Sequence, residues 1–500
     1  MSEPILALYD CRSKQEYIYR TNKIKEIAGA SALLADIYPQ FFDVCAKNHF
    51  KLDTDWKSSP FSKSAFLASD LDAAVLYEGG GNLCMLYKSK DLYLRANRLF
   101  SRLLTDISYT IRLVASCTNV TDDFNADFKR LYAENTRRKN LGTDSVPCNV
   151  LPFTQLDRVT WMPVLKKKAS SRKNGMPHMY THEAICKRDA YENICKKWEH
   201  FDQVEELDRM VTEKGKESLL AIIYIDGNAM GKKLKTLTDG ISDYDTCVKN
   251  LRNFSIHTQQ YYVDDPLAQI RSNLYNQQKP ARLVIGGGDE MTLICNARDA
   301  AEMVLTYFET LEKAEPLVEG FVNASCAGIA IFHSHAPFSD VYRIAEQACE
   351  MGKKRSRRSD STESCIDFHY CTAGIVNELD VIRQEQEADM TARPYSLAEF
   401  REIFAKGEKS LSKGEQLASI GRSELKALRD KIYAGTADFK FELERIKSYG
   451  DAKKIKPFLE LCEKYKNDVK GFQHLIYDVS LVYDLWFAGK GEQTDDNSEN

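Results

Sequence analysis

The chain has 500 residues, of which 43% are hydrophobic and 28% charged, and its formal net charge is −4. This composition is typical of globular proteins and excludes a mainly disordered or collagen-like chain. The length suggests about three domains, and the slight negative charge excludes a globally basic nucleic-acid coat.

The chain shows no sign of membrane insertion or secretion. No apolar run approaches the roughly eighteen residues of a membrane-spanning helix, and acidic and basic residues interrupt the N-terminal segment, unlike a signal peptide. The fourteen cysteines include no CxxC pair, so we expect free thiols, a cytoplasmic location and no membrane partner. Four candidate zinc ligands are spaced more loosely than in structural zinc sites, and we expect scattered helical residues instead: His182, Cys186, Cys195 and His200.

The first 118 residues have the pattern of one α+β unit. Ile5–Tyr9 is a short apolar strand that ends at Asp10, and an amphipathic helical segment follows as far as Leu33. Two later apolar strands flank a glycine triplet and predict a β-hairpin. The triplet is Gly79, Gly80 and Gly81.

A second stretch repeats this pattern. Leu219–Ile225 is an apolar strand that ends at Asp226, and a second predicted hairpin surrounds Gly286, Gly287 and Gly288. A helix, a strand and a helix are then predicted over Asp299–Ala314, Phe321–Phe332 and Ser339–Gly352. The repetition indicates a duplicated domain, and the order β-α-β-β-α-β is that of a ferredoxin-like palm.

The rest of the chain is a mixed connecting region and a helical C-terminal domain. The basic segment Lys166–Lys173 is predicted to be a solvated loop, with a phosphate-tracking loop as the alternative. The last twelve residues carry no apolar side chain and are expected to be disordered. The fold class is therefore α+β, with tandem ferredoxin-like palms. The predicted domains are a degenerate first palm 1–118, a connecting domain 119–218, a catalytic palm 219–380, a helical domain 381–488 and a tail 489–500.

The second hairpin carries the strongest chemical signal. Asp289 and Glu290 follow its glycines directly, and two adjacent carboxylates repel each other unless a cation binds. A merely solvated acidic turn is the alternative. In a ferredoxin-like sheet the hairpin neighbours the first strand, so Asp226 should meet both carboxylates in one hard-oxygen site. Such a site suits Mg²⁺ or Mn²⁺ with a nucleoside triphosphate, and the Gly227 carbonyl could add a ligand.

Several segments then resemble a known superfamily. The segment Ile225–Gly231 reads IDGNAMG, and Cys326–Ile329 reads CAGI and precedes His333 and Pro337. Together with the hairpin, the segment AEQACEMGKKRSRR and the opening QEYIYRTNKIKEIAGAS, they resemble the polymerase–cyclase palm superfamily. That superfamily includes GGDEF-type diguanylate cyclases and the large palm subunit of type III CRISPR effectors, a cyclic oligoadenylate synthase. The details favour the CRISPR branch.

The resemblance implies a metal-dependent nucleotidyltransferase that joins NTPs, with ATP favoured, into a cyclic or linear oligonucleotide messenger in antiviral defence. It implies that Asp226, Asp289 and Glu290 are catalytic and, with Gly227, hold the metal. Lys353 and Arg357 would grip the triphosphate, although a basic helix end that offsets the macrodipole is the alternative. The full predicted nucleotide-binding set is Gly227, Asn228, Gly231, Gly286, Gly287, Gly288, Lys353, Arg357, Gly79, Gly80 and Gly81.

The sequence departs from that family in several places. It has no His-Asp dipeptide, so the family's HD nuclease is expected to be absent, and the family's cysteine pairs between the palms are missing. Asn228 replaces a second strand carboxylate, and the hairpin pair is Asp-Glu rather than Asp-Asp. In the first palm Asn82 and Leu83 follow the glycines, so this palm is predicted to be non-catalytic and to cradle a second nucleotide.

Two alternatives stay open. A diguanylate cyclase-like enzyme using GTP is favoured by the Asp-Glu pair. A non-catalytic scaffold in an RNA-guided complex is the other, and it would have RNA or other CRISPR effector subunits as partners.

Overall fold

The computed structural model describes residues 3–488 apart from 22, 142–152, 169–177, 194–209, 212–217, 278, 280, 361, 372–376, 388, 408–409 and 452. The predictions for Cys195, His200, residues 169–173 and the tail 489–500 lie outside the described residues.

The first palm is built on a five-stranded sheet with strand order β2-β3-β4-β1-β5. The single helix predicted as far as Leu33 is two helices, separated by a short break. The elements are β1 (Ile5–Arg12), α1 (Lys14–Tyr19), α2 (Ile24–Ala35), α3 (Ile37–Lys47), β2 (Leu52–Asp53), α4 (Lys63–Ala68), β3 (Ala73–Gly79), β4 (Asn82–Tyr87), α5 (Lys90–Ser108), β5 (Arg112–Asn119) and α6 (Phe124–Asn140).

The described part of the connecting region is a small hairpin and a helix: β6 (Val164–Lys168), β7 (His178–Thr181) and α7 (His182–Asn193). Lys166–Lys168 thus lie in a strand, which corrects the loop prediction for these three residues. The His182 ring contacts the Tyr109 ring at an interplanar angle of 32°, with centroids 4.6 Å apart, and the Cys186 thiol lies 3.8 Å from the Asp106 carbonyl. These two residues therefore have contacts other than a metal.

The second palm has a six-stranded sheet with strand order β13-β12-β11-β8-β10-β9. Four of its strands, β9-β10-β8-β11, repeat the order β3-β4-β1-β5 of the first palm, and the predicted tandem palm fold is confirmed. The elements are β8 (Leu219–Gly227), α8 (Met230–Thr238), α9 (Tyr244–Gln259), α10 (Asp265–Asn276), β9 (Ala281–Gly287), β10 (Glu290–Asn296), α11 (Ala300–Leu311), β11 (Ser325–His333), α12 (Phe338–Ser356) and β12 (Cys365–Tyr370).

The C-terminal region is helical, as predicted, except for one short strand that joins the second sheet. None of the helices in the described part of the chain is both long and apolar enough to span a membrane. The elements are α13 (Leu379–Gln386), β13 (Tyr395–Ser396), α14 (Leu397–Phe404), α15 (Lys413–Ala418), α16 (Arg422–Ala434), α17 (Thr436–Tyr449), α18 (Lys456–Lys464) and α19 (Val469–Trp486).

Strand β8 is buried on both faces, which explains its continuous apolar sequence. Leu220, Ile222 and Tyr224 belong to a core that the two palms share. The alternate residues of β8 belong to a second core, formed with the C-terminal helices: Ala221, Ile223 and Ile225. Packing on both faces fixes the strand, and with it the position of the aspartate at its end.

Candidate active site

The end of β8 lies beside the glycine hairpin. Asp226 is the register partner of Glu290 in the neighbouring strand β10, and the Gly227 amide donates a hydrogen bond to the Asp289 carbonyl at 3.2 Å. A Cβ atom at Gly227 would lie 2.9 Å from the Asp289 carboxylate. Glycine is therefore needed here for the Asp289 side chain to approach β8.

An open cavity of about 540 Å³ lies at this end of the sheet. Its walls bring together seven of the predicted site residues and add Ala229, Met230 and Lys232. The seven are Asp226, Gly227, Asn228, Gly231, Asp289, Lys353 and Arg357. The predicted residues outside its walls are Glu290, Gly286, Gly287, Gly288 and the first-palm triplet Gly79, Gly80 and Gly81.

The carboxylates of the site repel one another. Loss of hydration, followed by the nearby Asp226 charge, raises the pKa of Asp289 to about 7. The same causes, together with Asp289, raise the pKa of Glu290 to about 7. Lys353 forms an ion pair with Asp226 and offsets only part of this charge. A site with such a surplus of negative charge favours binding of a cation.

The donor chemistry fits Mg²⁺ or Mn²⁺, because all the candidate side-chain ligands are hard carboxylate oxygens. The carboxylates are, however, not drawn together in one cluster. Glu290 faces the Tyr342 hydroxyl, which donates to it at 3.4 Å, and no three acidic, histidine or cysteine side chains in the described ranges form a ready metal site. The three-carboxylate metal site therefore stays a prediction.

Asn228, whose nucleotide-binding role stays a prediction, makes structural contacts at the wall of the cavity. Its side-chain amide donates to the Ser356 hydroxyl at 3.0 Å and to the Glu363 carbonyl at 3.1 Å. These bonds tie the end of β8 to the end of α12, the helix that carries Lys353. The replacement of a family carboxylate by Asn228 thus removes a charge and adds a positioning contact.

Lys353 and Arg357 both line the cavity, and each already holds a carboxylate. Burial lowers the pKa of Lys353, but Asp226 more than offsets this, so the pKa is raised and the side chain is a cation. Arg357 donates to Glu350 at 2.8 Å and is more than half exposed. An incoming phosphate would compete with these partners.

Two tyrosines join the site to the first palm, and no sequence pattern pointed to them. Tyr19 of α1 stacks on Tyr342 of α12 with ring centroids 3.8 Å apart. Gln15 donates to the Tyr342 hydroxyl at 3.3 Å, and that hydroxyl reaches Glu290. The partners are over three hundred residues apart in sequence, so only tertiary structure could reveal the link.

A buried lysine behind the hairpin was also missed. Lys233 donates to the Tyr262 hydroxyl at 2.9 Å, and burial lowers its pKa to about 8 although Asp289 opposes the shift. Lys233 stands next to Lys232 in the first turns of a helix, a position typical of exposed lysines, so its burial could not be predicted from the sequence pattern.

The corresponding site of the first palm has lost its hairpin carboxylates. Asp10 is the register partner of Asn82, as Asp226 is of Glu290. Asn82 therefore corresponds to Glu290, and not to Asp289 as the sequence had indicated. Asn82 stands at the position of Glu290, and Gly81 at that of Asp289. Both carboxylates are absent from this hairpin.

Lysines occupy the remaining carboxylate of the first palm. Lys14 contacts Asp10 at 2.8 Å, and Lys139 forms a second ion pair with it. Burial raises the pKa of Asp10, but these two lysines outweigh it and hold the pKa below its usual value. Lys139 lies near the end of α6 as Lys353 lies near the end of α12. The number of residues between each lysine and the start of its helix could have revealed this correspondence.

The two hairpin tips touch each other. Gly288 has a positive φ of 66°, and a Cβ atom there would lie 3.2 Å from Gly80. The Gly81 carbonyl accepts hydrogen bonds from Tyr38 at 2.7 Å and from Lys14 at 2.8 Å. The first-palm triplet therefore takes part in packing, and its nucleotide-binding role stays a prediction.

Comparison with known proteins agrees with this geometry. Residues 219–362 match the second palm domain of Cas10/Cmr2. Among solved structures, Csm1 from T. onnurineus has a TM-score of 0.54 at 12% identity, over 96% of this chain and 69% of that chain. The Csm1–Csm4 cassette in complex with cA4 has a TM-score of 0.52 at 12% identity, over 96% and 70%. The same cassette with pppApA has a TM-score of 0.51 at 12% identity, over 97% and 69%.

The comparison with curated protein sequences gave no match. The fold of the chain is Csm1-like, and the predicted resemblance to the large palm subunit of type III CRISPR effectors is confirmed.

Proposed function

We propose that this Cas10-like palm protein is a metal-dependent nucleotidyltransferase that joins NTPs, with ATP favoured, into a cyclic or linear oligonucleotide second messenger in CRISPR-type antiviral defence. The observation that carries the proposal is that one cavity unites two carboxylates, Asp226 and Asp289, with two cations, Lys353 and Arg357. Carboxylates facing cations across a cavity suit a metal-bound triphosphate. Structures of the same fold with cA4 and pppApA support an adenine nucleotide.

The residues of the second palm would divide the work as follows. Lys353 and Arg357 hold triphosphate oxygens through charge-assisted hydrogen bonds. Asp226, Asp289, Glu290 and the Gly227 carbonyl would hold Mg²⁺ or Mn²⁺, which supplies activation of a 3′-hydroxyl and stabilisation of the pyrophosphate leaving group.

The first palm would bind the second nucleotide without taking part in the chemistry. Its hairpin lacks both carboxylates, and Asp10 is already paired with Lys14 and Lys139. The glycines at positions 79–81 leave the hairpin backbone accessible to a phosphate. Joining two nucleotides requires two sites that face each other, and the contact between the hairpin tips supports such an arrangement of the palms.

Other effector subunits and RNA are proposed partners, because solved structures of the same fold contain a Csm4 subunit. We assign the activity to the cytoplasm, since every described cysteine is a free thiol, as expected in a reducing compartment.

A second candidate is a GTP-using cyclase related to diguanylate cyclases. The adjacent residues Asp289 and Glu290 favour it. A non-catalytic scaffold is the third candidate, and the loss of a carboxylate at Asn228 is the observation in its favour.

The test is incubation of the purified chain with each labelled NTP and Mn²⁺, followed by mass analysis of the products. Oligoadenylate from ATP, abolished by EDTA and by Asp289→Ala but retained in Asn82→Ala, would support the proposal. Product from GTP alone would replace it with the diguanylate cyclase. Absence of product from every NTP, with and without RNA and effector subunits, would leave the scaffold.

A further inference from the structure

A second cavity, of about 410 Å³, lies in the first palm where β5 meets α5 and α6. Strand β5 is the outer strand of its sheet, and residues 112–115 of this strand line the cavity. Neither Asp10 nor any glycine of the hairpin takes part in the lining. This cavity is therefore separate from the proposed nucleotide sites.

Three arginines line this cavity, and no carboxylate does. Arg12 and Arg112 are register partners on adjacent strands, where like charges facing each other destabilise a sheet. The third, Arg138, reaches in from α6, held by hydrogen bonds to the Ala115 carbonyl at 2.7 Å and to Glu134 at 2.6 Å. The arrangement concentrates positive charge on one edge of an otherwise slightly acidic chain.

Arg112 has a buried hydrogen-bond donor without an acceptor in the described part of the chain. Its Nη2 atom is buried and has no hydrogen-bond partner among the residues that the structure describes. A buried donor without a partner is unfavourable, and a guanidinium presents its donors in a fork that matches two oxygens of a phosphate. The Ser101 hydroxyl lies on the same wall.

The second palm closes the corresponding edge. Strand β11 occupies the position of β5, since Cys326 faces Asp226 as Val114 faces Asp10. There β12 pairs with β11 along its outer side, whereas in the described part of the first palm β5 has no such neighbour. The open edge and its arginines are thus a property of the first palm alone.

We propose that Arg12, Arg112 and Arg138 form a phosphate-binding site. Its ligand is a phosphate-bearing molecule, either the backbone of single-stranded RNA or a small polyphosphate. An oxyanion bound between Arg12 and Arg112 would attract both guanidinium groups and offset the repulsion between them. It would also give Arg112 Nη2 an acceptor. The site does not depend on catalysis in the second palm.

The experiment measures two probes against the same variants, in EDTA and in a Lys353→Ala/Arg357→Ala background that removes both proposed triphosphate contacts of the second palm. Calorimetry measures affinity for inorganic tripolyphosphate, and fluorescence anisotropy measures affinity for a labelled single-stranded oligoribonucleotide. Arg112→Gln and Arg138→Gln should each weaken binding about tenfold, the effect of one charge-assisted hydrogen bond. The control is Arg102→Gln, a highly exposed arginine of α5 outside the cavity, which should leave both affinities unchanged.

The pattern of loss identifies the ligand. Weaker tripolyphosphate binding with unchanged RNA binding assigns a small polyphosphate, and weaker RNA binding assigns the RNA backbone. Unchanged affinity for both probes in Arg112→Gln and Arg138→Gln would overturn the proposal. Melting temperature without phosphate excludes misfolding, because Arg112→Gln removes one of two facing charges and should leave the melting temperature equal or higher. NTP condensation is measured separately, so a failure here leaves the proposed function intact and the reverse is also true.

Discussion

The two palms share a sheet order and differ at the ends of the same two strands. In the second palm Asp226 faces Glu290, and Asp289 lies beside it with a pKa raised to about 7. In the first palm Asp10 faces Asn82, and its pKa is lowered by lysines on either side. The second palm thus brings carboxylates together at this end of its sheet, whereas in the first palm two lysines neutralise the single carboxylate.

The difference separates what the fold requires from what chemistry requires. Both palms keep an aspartate near the end of the first strand, paired with a lysine near the end of the helix that follows β5 or β11: Asp10 with Lys139 and Asp226 with Lys353. This ion pair is therefore also present in a palm whose hairpin lacks the carboxylates. Only the hairpin carboxylates distinguish the palm proposed to be catalytic, so mutations should affect the two copies unequally.

Removal of Asp289 should have the largest effect. We expect Asp289→Ala to lower the rate of product formation about a thousandfold or more, because metal-assisted charge stabilisation contributes several kcal/mol to such reactions. The measurement is product yield by mass analysis under saturating NTP and Mn²⁺.

The matched control for Asp289→Ala is Asn82→Ala in the other hairpin, which should retain most of the wild-type rate. Equal losses in both variants would mean that the palms share the chemistry and would remove the asymmetry.

Lys353→Ala should weaken nucleotide binding by about tenfold to a hundredfold, the contribution of one hydrogen bond to a charged group. Its counterpart Lys139→Ala should leave that affinity nearly unchanged. Calorimetry with a non-hydrolysable ATP analogue measures both, and the nucleotide-induced rise in melting temperature checks the result. An equal loss of affinity in the two variants would mean that both lysines act through stability alone.

The free energy of unfolding should depend on pH in the direction set by the raised pKa values of Asp289 and Glu290. The folded chain holds protons on Asp289 and Glu290 up to about pH 7, whereas the unfolded chain releases them near pH 4. Stability should therefore fall as pH rises from about 4 to about 7, and Asp289→Asn should remove part of that fall.

Thermal melts without divalent cations at several pH values measure this effect. The melting temperature of Asp289→Asn should equal that of the wild type at low pH and exceed it above pH 7. A constant difference across the range would show that Asp289 has an ordinary pKa.

The contact between the hairpins should have the smallest effect. Gly288→Ala forces a Cβ atom into a left-handed conformation against Gly80 and should cost about 1–2 kcal/mol of stability. Gly287→Ala is the control, because a Cβ atom there meets nothing within 4 Å. Urea unfolding measures both, and equal stabilities would show that the tips do not touch in solution.

The sequence was sufficient for the features that depend on local pattern. The seven apolar residues Leu219–Ile225 before Asp226 indicate a buried strand, and the apolar segments on either side of Gly286–Gly288 indicate a hairpin. The same pattern in the first palm indicated a duplicated ferredoxin-like domain. The strand order of that fold places Asp226 beside the hairpin.

Features that depend on contacts between distant segments could not be derived in this way. Tyr19 and Tyr342 each read as ordinary apolar positions of an amphipathic helix, and their stacking exists only because the palms pack together. Lys139 ends a run of basic residues that resembles a solvated helix end. The two glycine triplets look alike in sequence. Only the strand register shows that Asn82 corresponds to Glu290 and not to Asp289.

The core that the palms share has a consequence for the history of the duplication. Because the apolar side chains of one copy are covered by the other, the two copies are one cooperative unit and should melt together. A truncation that deleted the first palm would uncover Phe338 and Tyr342, which stack on Tyr19. The packing surface of the first palm is thus constrained by the stability of the second, whether or not the first palm takes part in the chemistry.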